Sequence, residues 1–179
     1  MITPLHQRLR DATRPAHDAV DAVFDGFDLT ERSGYVAFLR AHAAALSAMP
    51  PAPSGLPDLR LATLALSDLA RLGAAPPPPA APLPLTGTSE RVGAYYTVAG
   101  SRLGGRILAA RWRAGADPDT LSAGRYLSDR EADAGFRAVR DLLEAEADRL
   151  SVDGLVAGAL AAFEVFRLAG EAERTGGAA

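Results

Sequence analysis

The chain has 179 residues, a length that one domain fills, and a formal net charge of −3 that offers no clustered basic field to a nucleic acid. It contains no cysteine, which removes disulfides, thiolate metal sites, iron–sulfur clusters and thiol nucleophiles together. All 19 basic residues are arginine, which reads first as GC-biased coding and second as good chemistry for bidentate carboxylate binding.

The opening stretch MITPLHQRLRDATRPAH has no basic region followed by an apolar run, so no signal peptide is expected. The longest apolar stretch, Val156 to Val165, is interrupted by Gly158 and Glu164 and is too short to span a bilayer. The expectation is a cytoplasmic protein with neither membrane nor nucleic-acid partners.

Strand signals are nearly absent, and helical spacing runs through most of the chain, which predicts an all-α fold. The first helix is predicted over Pro4 to Phe24, with Leu5, Leu9, Ala12, Val20 and Phe24 near one face. Pro15 is expected to kink or restart it, with Thr13 as N-cap. A second helix, Thr30 to Met49, opens at Thr30 or Ser33 and carries Tyr35, Phe38, Leu39, His42 and Leu46 on one stripe.

Two proline clusters, PPAPSGLP (50–57) and PPPPAAPLP (76–84), bracket a leucine-rich helix predicted from Asp58 to Leu72. Such clusters read as stiff, extended loops; docking of a proline-recognising module is a rarer use of the same composition. Glu90 to Arg113 forms a long helical pattern with a glycine-rich middle. A short segment, Leu121 to Tyr126, precedes an amphipathic helix capped by Ser128 or Asp129 and running to Leu150. Val152 to Glu173 makes the last helix. The domain is expected to cover 1–174, with a flexible tail at 175–179.

Three histidines are the candidate metal ligands. His17 shares its helix face with Arg10, Thr13, Arg14, Asp21 and Phe24. An iron-bound imidazole needs an acceptor for its other N–H, and Asp21, one turn on, can supply it. Arg10 lies two turns, about 10 Å, from His17, and Arg14 lies closer; both suit anionic groups on a bound ligand. Taken alone, His17 is more readily an ordinary half-buried histidine on an amphipathic helix than a ligand. His42 is predicted to be packed or partly exposed, and His6 to be solvated. The second constellation is GAYYTVAGSRLGGRIL, residues 93–108. Glycines at 100, 104 and 105 each cost about 1 kcal/mol of helix propensity, and they normally admit another backbone or a flat ligand. Gly100 and Gly104 form a bare groove one turn long.

Together, LRDATRPAH and, about eighty residues later, AYYTVAGSRLGGRIL resemble the haem oxygenases, most closely the bacterial, biliverdin-producing type associated with bacteriophytochromes. YVAFLRAH, GRYLSD and GFRAVRDLLEAEA follow the family in order, so the likeness covers nearly the whole chain. The resemblance implies a fold that sandwiches haem between the first, proximal helix and a glycine-kinked distal helix. His17 is then the iron ligand, and Gly100, Ser101, Gly104 and Gly105 form the distal catalytic face. Arg10, Arg14, Asp21, Tyr95, Arg137 and Phe163 are implied to contact haem, with Phe166 beside Phe163.

The implied reaction cleaves haem to biliverdin, CO and ferrous iron with O2. Electrons come from an external donor such as a reductase, a ferredoxin or an ascorbate-like reductant, and a bacteriophytochrome is a candidate receiver of biliverdin. Ser101 stands where the animal enzymes carry an Asp, so proton delivery would run through Ser101, Arg102 or water. A haem carrier or sensor without turnover is the alternative on the same fold.

Overall fold

The computed structural model describes residues 4–176; the side chains of Pro4, Arg102, Leu103, Gly104, Glu131 and Ala132 lie outside the description. The described residues form helices joined by loops, with no strand among them. The helices are α1 (Pro4–Phe24), α2 (Arg32–Ala48), α3 (Leu61–Arg71), α4 (Thr88–Gly115), α5 (Pro118–Leu121), α6 (Arg125–Ser128), α7 (Glu131–Ala145) and α8 (Val152–Gly176).

α1 has the predicted bounds, but Pro15 neither breaks nor restarts it. Pro15 sits on an exposed part of the helix, where water can satisfy the carbonyl it releases. Thr13 is not an N-cap: its hydroxyl donates to the Leu9 carbonyl at 2.9 Å, and the side chain is buried where Ala12 was expected. α2 begins later than Thr30 because Asp28 Oδ1 accepts from the Thr30 N–H at 2.9 Å and the Thr30 hydroxyl at 2.7 Å. Those bonds hold the residue in a turn ahead of the helix. α3 likewise begins after Asp58, whose carboxylate accepts from the Arg60 N–H at 3.0 Å while Arg60 takes a left-handed conformation at φ 51°.

The single short segment expected between the long helices is two separate turns. Asp117 caps α5, accepting from the Asp119 and Thr120 N–H groups at 2.9 and 3.1 Å with Pro118 in the first turn. α6 is capped from a distance by Asp68 of α3, which is 1% exposed and accepts from the Arg125 and Tyr126 N–H groups at 3.1 and 2.7 Å. α7 starts after Ser128 and Asp129 and stops at Ala145, with a turn in place of the expected last helical stretch. α8 continues past Glu173 to Gly176, so residues 175 and 176 are helical; residues 177–179 of the predicted tail lie outside the description.

α8 is the hub, packing on α1, α2 and α4. Glycines set its closest approaches. A Cβ at Gly93 of α4 would collide with the Leu155 carbonyl, and one at Gly158 of α8 with the Glu90 carbonyl, so these two helices cross backbone to backbone. At the other end, Gly170 receives Val23 and Phe24 of α1. α1 and α4 are therefore both fastened to α8 but are spaced apart from each other over most of their length. The core runs through Tyr35, Phe38, Leu39, Tyr126, Leu143 and Leu155, each nearly inaccessible to solvent.

Candidate functional site

The space between α1 and α4 is a groove formed by two adjoining cavities of about 280 and 510 Å³, a size within the range of small-molecule sites. His17, Thr97 and Phe163 border both cavities, one from each of α1, α4 and α8. Phe163 and Phe166 of α8 form the floor, and Phe24, Phe38 and His42 extend the apolar lining under the first cavity.

His17 stands on the α1 wall with its side chain 54% exposed. Its Nδ1 lies 3.2 Å from Asp21 Oδ2 and 3.8 Å from Asp18 Oδ1. A carboxylate at Nδ1 favours the proton on that nitrogen and leaves the lone pair on Nε2. The ring also meets Phe163 edge to face, with centroids 5.8 Å apart. Burial pushes the Asp21 carboxyl above its usual range; His17 opposes that shift, while Asp25 and Asp18 add to it.

Charge is unevenly spread along the groove. Arg10 and Arg14 line the second cavity with one carboxylate, Asp18; Asp21 and Asp25 line the first with one guanidinium, Arg111 of α4; and His17 borders both. On the facing helix, Gly100 borders the second cavity, and Ser101 and Gly105 the first. The Ser101 hydroxyl donates to the Val98 carbonyl at 2.8 Å. Gly104 and Arg102 lie outside the residues whose side chains are described.

Two residues implied by resemblance stand elsewhere. Tyr95 faces the opposite side of α4, where its hydroxyl donates to the Pro57 carbonyl at 2.8 Å and burial with nearby Asp58 pushes its pKa up to about 12. Its neighbour Tyr96, about 100° further round the helix, is the one that reaches the groove. Arg137 is exposed on α7 and lines neither cavity.

His6 is a correction in the other direction. Expected in solvent, it is 8% exposed, and its Nε2 lies 2.8 Å from the Tyr96 hydroxyl. With Tyr96 and Phe136 it closes the α1 N-terminal end of the groove. Burial lowers the His6 pKa, and the charges of Arg140 and Arg10 lower it further. Its spacing was a usable signal: His6, Arg10, Arg14 and His17 recur every three or four residues and so share a face. His42 is packed as expected, ringed by Phe24, Phe38, Tyr126 and Phe166, with Nδ1 2.9 Å from the Phe38 carbonyl.

No family model, curated protein or solved structure matches the chain.

Among the described residues, no three His, Asp or Glu side chains gather as a bare metal ion would require. The groove thus brings together the His17 imidazole on one wall, Gly100, Ser101 and Gly105 on the facing helix, aromatic rings beneath, and the Arg10 and Arg14 guanidinium groups in the second cavity. No helix among the described residues is long and apolar enough to cross a membrane.

Proposed function

We propose that the chain is a haem oxygenase that binds haem in the α1–α4 groove and cleaves it to biliverdin, CO and ferrous iron with O2 and electrons supplied by a separate donor. The observation that carries the reading is His17. It stands in the wall of a groove that spans both cavities, with Nδ1 held by Asp21 and Nε2 left for a metal.

Bound haem would supply the iron that activates O2 and the ring that is opened. The chain's own residues do the rest. His17 ligates, and Asp21 fixes its tautomer. Arg10 and Arg14 hold the carboxylates at the end remote from Asp21 and Asp25, which would repel them. Phe163 and Phe166 exclude water from the floor. Ser101 and Gly105, which border the first cavity, would leave room there for O2 and for the water that carries protons, while Gly100 is covered by the Phe136 ring.

A second reading, a haem carrier or sensor without turnover, draws on Ser101. Its hydroxyl proton is already engaged with the Val98 carbonyl, which leaves the oxygen as an acceptor only.

Haem titration of the purified protein, followed by a reductant in air, tests both readings. The enzyme shows a nitrogen-ligated haem spectrum that bleaches to that of biliverdin; the carrier shows the first and not the second. His17→Ala is expected to abolish nitrogen ligation with helical circular dichroism unchanged. An unaltered spectrum in that variant, with loss in His42→Ala, would overturn the assignment of the ligand.

A further inference from the structure

The segment joining α3 to α4 has a period in its exposure that neither its length nor its role as a connector demands. From residue 74 to residue 83, Ala74, Pro77, Ala80 and Leu83 are half-buried, and the six residues between them are exposed. A repeat of three is the signature of a polyproline II helix, which turns once every three residues and rises about 3.1 Å per residue. One edge of that helix lies on the body of the protein over roughly 28 Å.

Of the two edges left in solvent, one consists of Pro76, Pro79 and Pro82. The rod is fastened at both ends. The Arg40 guanidinium donates to the Ala75 and Pro76 carbonyls at 2.6 and 3.2 Å, and the Leu83 N–H donates to the Ala48 carbonyl at 2.8 Å. Four consecutive prolines from Pro76 to Pro79 fix their own φ angles, so the middle needs no further bonds to stay extended.

We infer that the Pro76–Pro79–Pro82 edge is a docking ridge for a protein domain whose groove is lined by aromatic side chains. Such grooves seat prolines spaced by three, and they bind a preformed polyproline II rod with little loss of conformational entropy. Here the rod is ordered before any partner arrives, because its third edge is packed and both ends are tied. The ridge presents rings without a charge among them, so the fitting groove is apolar and aromatic rather than acidic or basic. The inference is independent of what the α1–α4 groove binds.

The test uses the full chain against a panel of isolated SH3, WW and EVH1 domains, with binding followed by the fluorescence of their groove tryptophans. At least one domain is expected to bind, with affinity falling at least tenfold in the triple variant Pro76→Ala, Pro79→Ala, Pro82→Ala. Pro77→Ala, on the packed edge, should leave that affinity within about threefold. Thermal melts of both variants should retain the wild-type cooperative transition, which shows that the fold has been held constant and that any loss of binding belongs to the ridge. If no domain distinguishes wild type from the triple variant, or if Pro77→Ala weakens binding as much as the triple does, the ridge is a structural strap and the inference fails.

Discussion

His6 links chemistry to stability at a single position. Burial, with Arg140 and Arg10 nearby, lowers its pKa below the ordinary 6.5. Between that lowered value and 6.5 the folded chain binds fewer protons at this site than the unfolded chain, so stability rises with pH across the window. The contribution of neutral His6 is complete above pH about 6.5 and is lost as the pH falls through the window. His6→Gln should match the wild type to within about 1.5 kcal/mol near pH 8 and lose less on acidification. Chemical denaturation at a series of pH values reads this directly; parallel curves for the two proteins would show that His6 carries none of the acid sensitivity. Arg10 and Arg14 are exposed, so each contact to a ligand carboxylate falls near the low end of the 1.5–3 kcal/mol typical of charge-assisted bonds. Arg10→Glu with Arg14→Glu should therefore weaken haem binding by about tenfold or more. An affinity within twofold of wild type would remove both as anchors.

Among the helices, the long periodic ones were legible and the short ones were not. Apolar spacing located α1 from Pro4 to Phe24 and the buried stripe of α2, because both helices bury a stripe against α8. The starts of α2 and α3 were misjudged for one reason: Asp28 and Asp58 each form a local turn with the residue two positions on, and that competes with capping a helix. α6 was beyond sequence reading, since its first N–H groups are satisfied by Asp68, 57 and 58 residues earlier. Asp68 offers two carboxylate oxygens to two donors, and burial raises its pKa despite them. Asp68→Asn keeps the shape but turns one acceptor into a donor that faces another N–H. The expected cost is about 1–3 kcal/mol in thermal or denaturant unfolding, with α3 and the α6 turn losing hydrogen-exchange protection together. Unchanged stability would mean that the α6 N–H groups are satisfied by water.

At the scale of the molecule, the groove exists because α8 holds α1 and α4 apart, and no periodicity along α1 or α4 announces that. The sequence pointed to His17, Arg10, Arg14, Ser101 and Phe163, and the fold brings all five to the one groove. It also pointed to Tyr95, which turns to the other side of its helix, while Tyr96 one residue on borders the groove. The glycines singled out were those of the α4 middle, whereas Gly93, Gly158 and Gly170, which set the helix crossings, carry no local mark of that role. Only the neighbours that fold against them from afar distinguish them: the Leu155 and Glu90 carbonyls at Gly93 and Gly158, and the Val23 and Phe24 side chains at Gly170.

Arg40 makes a quieter kind of connection. Its guanidinium reaches Glu173 of α8 at 2.8 Å as well as the Ala75 and Pro76 carbonyls, tying positions 35 and 133 residues away to a single side chain. Closing so long a loop costs chain entropy that grows only slowly with length, so the tie is sustained once the folded body brings its ends together. Its loss would be abrupt rather than graded. A protease that trimmed α8 back past Glu173 would leave Arg40 with carbonyls alone and a charge to hydrate, and damage near the end of the chain would register a hundred residues upstream, where the prolines begin.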